Sequence, residues 1–380
     1  MKIHPITRVE VSEAAIKHNI RMFQRILRTT GTNFMAVVKS NAYGHGMVEV
    51  ARIAQKHGIR WFGVVNLDEA LVLRKNGVWA RILVLSYFTD DGITQAIKQN
   101  ITLSIYNLND ARKISRIAKS IKRIARVHFK VDTGTSRLGI RSKEAITMIR
   151  QITLLKYIHL EGIFTHFSDS ENPNQYITNR QIKEFDSIIL KLENEGITFS
   201  IKHAACSAST LLNKKTHYNL SRIGISLYGL HSIEKDGMTV RKKYPWFSLQ
   251  PALSWKTHII QIKNIKRNTC VGYGCDYRAK KKIRIAILPV GYWDGYDRKL
   301  SNKGSVIICG KRAKIVGRIC MNLSMVDITN IQDAKIGNEA ILIGKKERGE
   351  VTADEVASLV QTINYEVVTR INPLIHRKVI

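Results

Sequence analysis

Residues 34–46 read Phe-Met-Ala-Val-Val-Lys-Ser-Asn-Ala-Tyr-Gly-His-Gly, an apolar, strand-like run that stops at Lys39. Seven similar runs follow through the first two-thirds of the chain, separated by amphipathic segments of helical period. This alternation predicts an α/β fold with a parallel (β/α)8 TIM barrel, and a doubly wound open sheet is the alternative. The predicted strands are Phe34–Val38, Trp61–Val65, Ile82–Leu85, Thr102–Ile105, Arg126–Val131, His159–Thr165, Phe199–His203 and Ile223–Ser226.

The pattern changes near residue 235, and strand-like runs separated by turns predominate from Pro251 onward. The stretch Thr352-Ala353-Asp354-Glu355 has the form of a capping box and predicts a helix over Ala353–Gln361. We expect the barrel over residues 1–235 and a smaller, mostly β domain over residues 236–380, with the first few residues of the chain paired to it. The strands predicted there are Leu253–Ile262, Ile283–Leu288, Ser305–Cys309, Ala313–Val316, Ser324–Ile328 and Ala340–Ile343.

The composition is that of a globular protein. The 380 residues are 44% hydrophobic, which is enough for a large core. No apolar run approaches 18 residues, so we expect no membrane span, and the start of the chain has no secretory h-region. The five cysteines are scattered without a CxxC pair, which argues against a disulfide framework and a zinc site and indicates a cytoplasmic protein.

The charge balance is strongly basic, because 61 Lys and Arg face 30 Asp and Glu and give a net charge of +31. Such a charge is typical of proteins that bind polyanions. The basic residues, however, occur in twos and threes, and aromatic residues do not alternate with them as a base-stacking groove requires. We therefore expect a generally basic surface without nucleic-acid binding, and a polyanion-binding protein is the alternative class.

In a (β/α)8 barrel the reactive groups stand at the C-terminal ends of the strands. Lys39 follows four apolar residues, and poor solvation at such a strand end lowers the pKa of an ammonium group, as a Schiff-base amine requires. A surface lysine whose stem lies along the strand is the alternative. Ser207 and Gly224 lie after the last two strands, where this fold often binds phosphate. A Schiff-base lysine and a phosphate site on one face suggest pyridoxal phosphate.

The stretch 36–46 closely resembles the cofactor-lysine signature of bacterial alanine racemases. Five further stretches agree with that family in the same order and at compatible spacing. The resemblance covers nearly the whole chain and implies an N-terminal barrel and a C-terminal β domain in a head-to-tail homodimer. The five stretches are residues 130–134 leading to 137–139, residues 162–167, residues 221–225 running to 228–229, residues 271–274, and residues 289–292 with 294–295, followed by Cys320-Met321.

The resemblance implies a racemase with two bases. Lys39 holds pyridoxal 5′-phosphate through its amine and, once substrate has released it, deprotonates the D-isomer, while Tyr273 of the partner subunit deprotonates the L-isomer. Two bases on opposite faces of a planar carbanion exchange the proton without moving the substrate. Because a tyrosine hydroxyl is a weak acid, the resemblance also implies that His166 and Arg222 activate it through a hydrogen-bond chain.

Arg222 matches the arginine that contacts the pyridine nitrogen of the cofactor. An arginine does not readily donate a proton, so the ring stays unprotonated, a weaker electron sink that suppresses side reactions such as transamination. Further residues match contacts to the phosphate, namely Tyr43, Ser207, Gly224 and Ile225, the last two through backbone N–H groups. The residues matched to the substrate are Arg137 and the Met321 N–H, which hold its carboxylate, Lys130, whose carbamylation orients Arg137, and Tyr292, which narrows the entrance.

The chain departs from the family pattern at several positions. Cys206 precedes Ser207 where the family commonly has asparagine, and Asn322 follows Met321 where it usually has aspartate. Residues 135–136 and the end of the chain, residues 373–377, also differ. None of these positions carries proton transfer, but Asn322 and the end bear on the polarity of the entrance and on substrate range.

We therefore expect a cytoplasmic, pyridoxal-phosphate-dependent isomerase of the alanine racemase type that supplies D-alanine for peptidoglycan. The alternatives are a racemase of serine or lysine, and an amino-acid decarboxylase of the same fold. Decarboxylases of this fold pair the cofactor nitrogen with a carboxylate, so Arg222 argues against them.

Overall fold

A computed structural model describes residues 5–233 and 238–380. The predicted domain boundary at residues 235–236 lies outside this described part. The chain divides into two compact units. The barrel unit comprises Ala15–Ala42 and Val50–Gln250, and the β unit comprises the described residues up to Ala14, Tyr43–Glu49 and Pro251–Ile380. Within the described ranges, no helix combines the length and the apolar character needed to cross a membrane.

Strands and helices alternate through the barrel unit, and strands predominate in the β unit. The strands are β1 (Arg8–Val11), β2 (Asn33–Val37), β3 (Trp61–Val64), β4 (Arg81–Val84), β5 (Ile101–Ile105), β6 (Ala125–Asp132), β7 (Ile140–Arg141), β8 (Ile158–Phe164), β9 (Ile201–His203), β10 (Leu220–Ile223), β11 (Leu253–His258), β12 (Gln261–Ile265), β13 (Ile283–Leu288), β14 (Ser305–Ile308), β15 (Lys311–Lys314), β16 (Ser324–Asp327), β17 (Glu339–Lys346), β18 (Gly349–Val351) and β19 (His376–Val379). The helices are α1 (Glu13–Arg28), α2 (Met47–Lys56), α3 (Leu67–Lys75), α4 (Ile93–Lys98), α5 (Leu108–Ser120), α6 (Ser142–Thr153), α7 (Tyr176–Asn194), α8 (Ser207–Leu212), α9 (Met238–Lys243), α10 (Ala353–Val360) and α11 (Asn364–Thr369).

The barrel unit is built around a parallel sheet with the strand order β10-β2-β3-β4-β5-β6-β8-β9. Neighbouring strands pair in parallel along this whole path. Two backbone hydrogen bonds join its outer strands, from Asn219 N–H to Lys202 C=O at 3.3 Å and from Arg222 N–H to Ala205 C=O at 3.2 Å. The predicted (β/α)8 barrel is confirmed, and the C-terminal ends of its strands meet at one mouth.

The eighth barrel strand lies three residues before its predicted position. β10 ends at Ile223, and Gly224 turns the chain into a short 3-10 helix over Ile225–Tyr228. The prediction of a strand over Ile223–Ser226 is therefore wrong. Every residue from 220 to 230 is buried, so hydrophobicity does not mark the point where the strand stops.

The β unit contains two sheets, with the strand orders β15-β14-β17-β11-β1-β19 and β12-β13-β16. β1 pairs antiparallel with β11 and parallel with β19. The run predicted as one strand over Leu253–Ile262 is two strands, β11 and β12. Between them the chain passes from the sheet that contains β11 to the sheet that contains β13. The N–H of Ile259 bonds to the carbonyl of Asn338, just before β17, whereas the N–H of Ile260 bonds to that of Ile287 in β13.

The predicted cap of the late helix is present. The hydroxyl of Thr352 accepts the N–H of Glu355 at 3.0 Å, and α10 begins at Ala353. The side chain of Glu355 binds the guanidinium of Arg312 at 2.6 Å, so its carboxylate serves an ion pair, and only the Thr352 half of the predicted capping box is observed among the described contacts.

Candidate active site

Lys39 lies at the C-terminal end of β2 and opens a left-handed turn. Ser40, Asn41, Ala42 and Tyr43 have φ angles of 52–55°, and the N–H of Ala42 bonds to the carbonyl of Val38 at 2.9 Å. Left-handed helical backbone costs residues other than glycine roughly 1–2 kcal/mol each. Backbone strain of this kind persists where the surroundings hold it, and it concentrates at functional sites.

Glu69 holds this turn in place from the first turn of α3. One carboxylate oxygen accepts the N–H of Ser40 at 2.6 Å, and the other accepts the N–H of Val65 at 2.8 Å. The N–H of Glu69 itself is capped by the side chain of Asn66 at 3.0 Å. A fixed helix start thus anchors the residue that follows Lys39. Sequence reasoning missed Glu69, because nothing in the residues around it signals a contact 29 positions away.

The amine of Lys39 is poorly solvated. Burial lowers its pKa, the nearby positive charge of Arg137 lowers it further, and Glu69 offsets part of this shift. The lowered pKa increases the fraction of neutral amine, which is the nucleophilic form. The apolar strand therefore provides the poorly solvated position that makes the amine of Lys39 more nucleophilic.

Four basic side chains gather at the mouth of the barrel and are called the cation cluster here: Lys39, Lys130, Arg137 and Arg222. Lys130 is buried within β6, and burial together with Arg222, Arg137 and Lys39 lowers its pKa to about 8. All four charges act on the imidazole of His166. Such a concentration of positive charge suits a ligand that carries several negative charges.

The loop that leads to Arg137 is ordered by Asp132 at the end of β6. One oxygen of its carboxylate accepts the N–H groups of Gly134, Thr135 and Ser136 at 2.9–3.1 Å. Arg137 follows directly and is exposed at the mouth. The departure from the family pattern at residues 135–136 thus falls within a loop that the Asp132 carboxylate holds through backbone N–H groups.

Arg222 is buried in β10 and donates to several acceptors. Its Nη2 lies 2.9 Å from the carbonyl of Thr165, 2.8 Å from that of Ala204 and 3.2 Å from Nδ1 of His166. Its Nη1 lies 2.8 Å from Nδ1 of His203. Burial lowers the pKa of Arg222 to about 10, so it remains a cation at neutral pH.

His166 is a neutral imidazole in this setting. Burial first, and then the cation cluster, lower its pKa well below the ordinary value. Its Nδ1 accepts from Arg222, so its proton is on Nε2. The structure therefore brings together two of the predicted site residues, with His166 ready to donate from Nε2.

Two short helices begin side by side near this cluster. Ser207 opens α8, and its buried hydroxyl accepts the N–H of Gly224 at 3.0 Å. Ile225 opens the 3-10 helix that follows Gly224. The first N–H groups of a helix have no partner inside it and attract anions. The Ser207 hydroxyl and the N–H of Ile225 are a donor set that fits a phosphate group, and the N–H of Gly224, bonded here to Ser207, lies beside them.

The remaining predicted residues lie in the β unit. The N–H groups of Tyr292 and Trp293 bond to the carbonyls of Cys320 and Met321 at 3.1 and 3.0 Å, so these two loops are neighbours. Tyr292, Trp293 and Met321 are 43–60% exposed. The ring of Tyr43 packs near that of Tyr365, at 6.0 Å between centroids.

Tyr273 stands on a tight loop and is 70% exposed. It lies between two glycines of positive φ, Gly272 and Gly274. A disulfide joins Cys270 to Cys275 across this loop. The sequence argued against a disulfide framework, because these two cysteines are separated by four residues rather than two. The correction is that one bridge is present, and it brackets the predicted second base.

Comparison with known proteins identifies the family. Residues 11–232 match the model of the alanine racemase N-terminal domain, and residues 252–379 match that of the alanine racemase C-terminal domain. The chain belongs to the alanine racemase family. An alanine racemase of Methanococcus maripaludis is 40% identical over 378 residues, which cover 99% of each protein.

Solved structures of the alanine racemase family share the fold. The alanine racemase of Clostridium difficile 630 superposes with a TM-score of 0.93 at 35% identity, covering 100% of this chain and 97% of that one. A histidine racemase of Leuconostoc mesenteroides superposes with a TM-score of 0.90 at 27% identity, covering 100% and 99%. The fold thus also occurs in a protein named for another amino acid.

Proposed function

We propose that the protein is a pyridoxal-phosphate-dependent isomerase that interconverts L- and D-alanine. The observation that carries this proposal is the bond to neutral His166 from buried Arg222, a member of the cation cluster. Membership of the alanine racemase family over nearly the whole chain supports alanine as the substrate.

The donor set fits pyridoxal 5′-phosphate. Lys39 would hold it covalently, Arg222 would face its pyridine nitrogen, and the Ser207 hydroxyl with the N–H groups of Gly224 and Ile225 would hold its phosphate, with Tyr43 as a further contact. When bound, the cofactor supplies an electron sink for the electrons left as the α-proton departs. Arg222 keeps its own protons at neutral pH, so it would leave the pyridine nitrogen unprotonated. An unprotonated ring is a weaker electron sink, which favours proton exchange over transamination.

The chain's own groups move the proton. Once substrate has released Lys39 from the cofactor, its neutral amine would take the proton from one face of the α-carbon, and Tyr273 of the partner subunit would serve the other face. His166, whose Nε2 carries a proton, donates to the tyrosine oxygen and stabilises its negative charge. The exposure of Tyr273 in the single chain supports a role in a homodimer with a shared site.

Substrate carboxylate is held by Arg137 and the N–H of Met321, and Tyr292 narrows the entrance. The pKa of Lys130, near 8, leaves a fraction of neutral amine at neutral pH, and only a neutral amine adds carbon dioxide. Addition forms a nitrogen–carbon bond, releases one proton and leaves a carbamate anion. That anion would pair with Arg137, orient it, and reduce the repulsion within the cation cluster.

The candidate reactions can be distinguished by testing four amino acids as substrates: alanine, serine, lysine and histidine. The purified protein with added pyridoxal phosphate is incubated with each L-isomer, and the products are separated by chiral chromatography. We expect turnover of alanine to exceed that of the other three at least tenfold. Faster racemisation of another amino acid would replace alanine as the substrate, and loss of carboxylate as carbon dioxide would indicate a decarboxylase.

We propose that in the cell the protein supplies D-alanine for peptidoglycan and that it works in the cytoplasm.

A further inference from the structure

A line of hydrogen bonds leads from Arg222 away from the mouth through the barrel interior. Nη1 of Arg222 lies 2.8 Å from Nδ1 of His203, and Nε2 of His203 lies 2.9 Å from Nδ1 of His128. Nε2 of His128 lies 3.3 Å from one carboxylate oxygen of Glu161, and the other oxygen binds Arg81. Arg81 opens β4, so the line runs to the end of the barrel opposite the mouth.

The chemistry of the end groups fixes every proton in this line. A guanidinium only donates, so Nδ1 of His203 must accept from Arg222 and its proton is on Nε2. His203 then donates to Nδ1 of His128, and His128 donates from Nε2 to the carboxylate of Glu161. Both imidazoles are therefore neutral Nε2–H tautomers. Were either ring to carry its proton on Nδ1, two donors would face each other somewhere along the line.

Burial supports this charge assignment. His128 and His203 are fully buried, and burial lowers the pKa of each below its ordinary value. Burial alone raises the pKa of Glu161, but the hydrogen bond from His128 and the charge of Arg81 outweigh it and bring the value to about 2. A carboxylate thus stands at one end and a guanidinium at the other, with two neutral rings between them.

Aromatic rings hold the line rigid. The ring of Phe164 stacks on that of His203, with 4.6 Å between centroids and an angle of 6° between planes. The guanidinium of Arg81 lies 4.3 Å above the centroid of the Trp61 ring. The plane of the His203 ring is therefore fixed, and Arg81 is held beside Glu161.

We propose that Glu161, secured by Arg81, is a positioning residue that sets the tautomers of His128 and His203 and thereby orients Arg222 toward the cofactor. The role of Arg222 at the cofactor rests on the proposed function, but the tautomers do not. Glu161 accepts a hydrogen bond from His128 at the far end. His128 therefore accepts from His203, and Nδ1 of His203 is left to accept from Arg222 at the mouth.

Glu161→Gln tests this with nearly unchanged shape. Arg81 only donates, so it claims the amide oxygen, and the amide NH2 group turns to Nε2 of His128. That reverses both tautomers and points an N–H of His203 at Arg222. Replacing Arg81 with leucine in the same protein, as Arg81→Leu/Glu161→Gln, frees the amide oxygen for His128 and restores the original direction. Glu195→Gln, in an exposed ion pair with Arg150, is the matched control.

The tautomers are read from two-bond ¹H–¹⁵N spectra of histidine-labelled protein without cofactor. We expect Nε2–H rings at His128 and His203 in the unaltered protein, Nδ1–H rings in Glu161→Gln, and Nε2–H rings again in the double variant. With cofactor, kcat for alanine should fall about 10- to 100-fold in Glu161→Gln, the range found for hydrogen-bond partners of metal ligands. KM should change less than about threefold, and the double variant should recover most of kcat.

Unchanged tautomers in folded Glu161→Gln, or a double variant as slow as the single one, would overturn the proposal. An Nδ1–H ring at His203 in the unaltered protein overturns it without any variant, so the test stands even if Glu161→Gln does not fold. A protein that racemises no amino acid yet shows these tautomers would refute the proposed function and leave the directed line intact.

Discussion

Nη2 of Arg222 lies 3.2 Å from Nδ1 of His166 and shares one of its two hydrogens between this nitrogen and a nearby carbonyl, and this contact decides what the histidine can do. The imidazole must accept at Nδ1, so its one proton is on Nε2. Burial and the neighbouring charges hold the pKa of His166 well below its usual value, so it does not become a cation at neutral pH. His166 is therefore a hydrogen-bond donor and not a general acid in its charged form.

Lys39 should bind the cofactor covalently. We expect borohydride to fix pyridoxal phosphate onto the unaltered protein and peptide mass spectrometry to find it on Lys39. In Lys39→Arg the charge remains, but a guanidinium cannot form the bond, so the label should disappear together with activity. Lys202→Arg, in a surface ion pair with Glu193, serves as control and should label fully. Full labelling of Lys39→Arg at another lysine would refute the assignment.

Tyr273 should act across the subunit boundary. Tyr273→Phe and Lys39→Ala are each expected to be inactive alone. If the site is shared, mixing equal amounts should yield hybrid dimers with one intact site and about a quarter of the normal activity. Activity is measured after native mass spectrometry has demonstrated subunit exchange. Exchange without recovery would mean that both residues act within one chain.

Glu69→Ala should loosen the turn after Lys39. The N–H groups of Ser40 and Val65 lose their acceptor, so we expect a loss of about 1–3 kcal/mol in the free energy of unfolding. The affinity for pyridoxal phosphate should fall as well, because Lys39 is no longer fixed. Urea unfolding and cofactor titration measure the two effects. Glu144→Ala, exposed in the first turn of α6, is the control, and equal effects in both variants would argue against an anchoring role.

Lys130 should make stability rise with pH. Its pKa is about 8 in the folded chain against 10.5 when unperturbed, so between these values the unfolded chain binds more protons. The free energy of unfolding gains a contribution that is absent below pH 8 and complete above 10.5. Lys130→Met should therefore be more stable than the unaltered protein at pH 7, with an advantage that shrinks as pH rises.

The measurement for Lys130 is urea unfolding of cofactor-free protein between pH 7 and 10 in buffer free of carbon dioxide. Lys119→Met, on the exposed face of α5, controls for the loss of one positive charge. An advantage of Lys130→Met that stays constant across this range would show that the lysine is not the group responsible.

The barrel could be predicted because its strands are short apolar runs separated by helical periods. The start of β10 could not, since residues 220–230 are buried without interruption. β1 and β19 were not predicted as strands, although we expected the first residues of the chain to pair with the β domain. The two strands pair with each other across the length of the chain, and β19 carries exposed polar residues such as His376. The hydrophobic period of a segment indicates which of its residues are buried, but it does not indicate which other strand the segment pairs with.

Within the site, residues at strand ends were accessible to prediction from the sequence pattern, whereas Lys130, inside β6, was predicted only through the family resemblance. His128 and Glu161 were not predicted, because they lie within β6 and β8 and reactive groups are expected past the ends of barrel strands. A signal did exist, because charged residues inside barrel strands are rarely buried unless they are paired. The left-handed turn at Ser40 had no comparable signal, since no glycine marks it.

The most direct test of the central claim is racemisation of L-alanine in D2O by the protein loaded with pyridoxal phosphate. Chiral separation with mass spectrometry follows both the ratio of isomers and the deuterium at the α-carbon. We predict an approach to equal amounts of L- and D-alanine, with one deuterium at the α-carbon of the D-alanine formed, because the two bases exchange protons with solvent. Unchanged L-alanine would contradict the proposed activity, and D-alanine that retains its original α-proton would contradict the two-base mechanism.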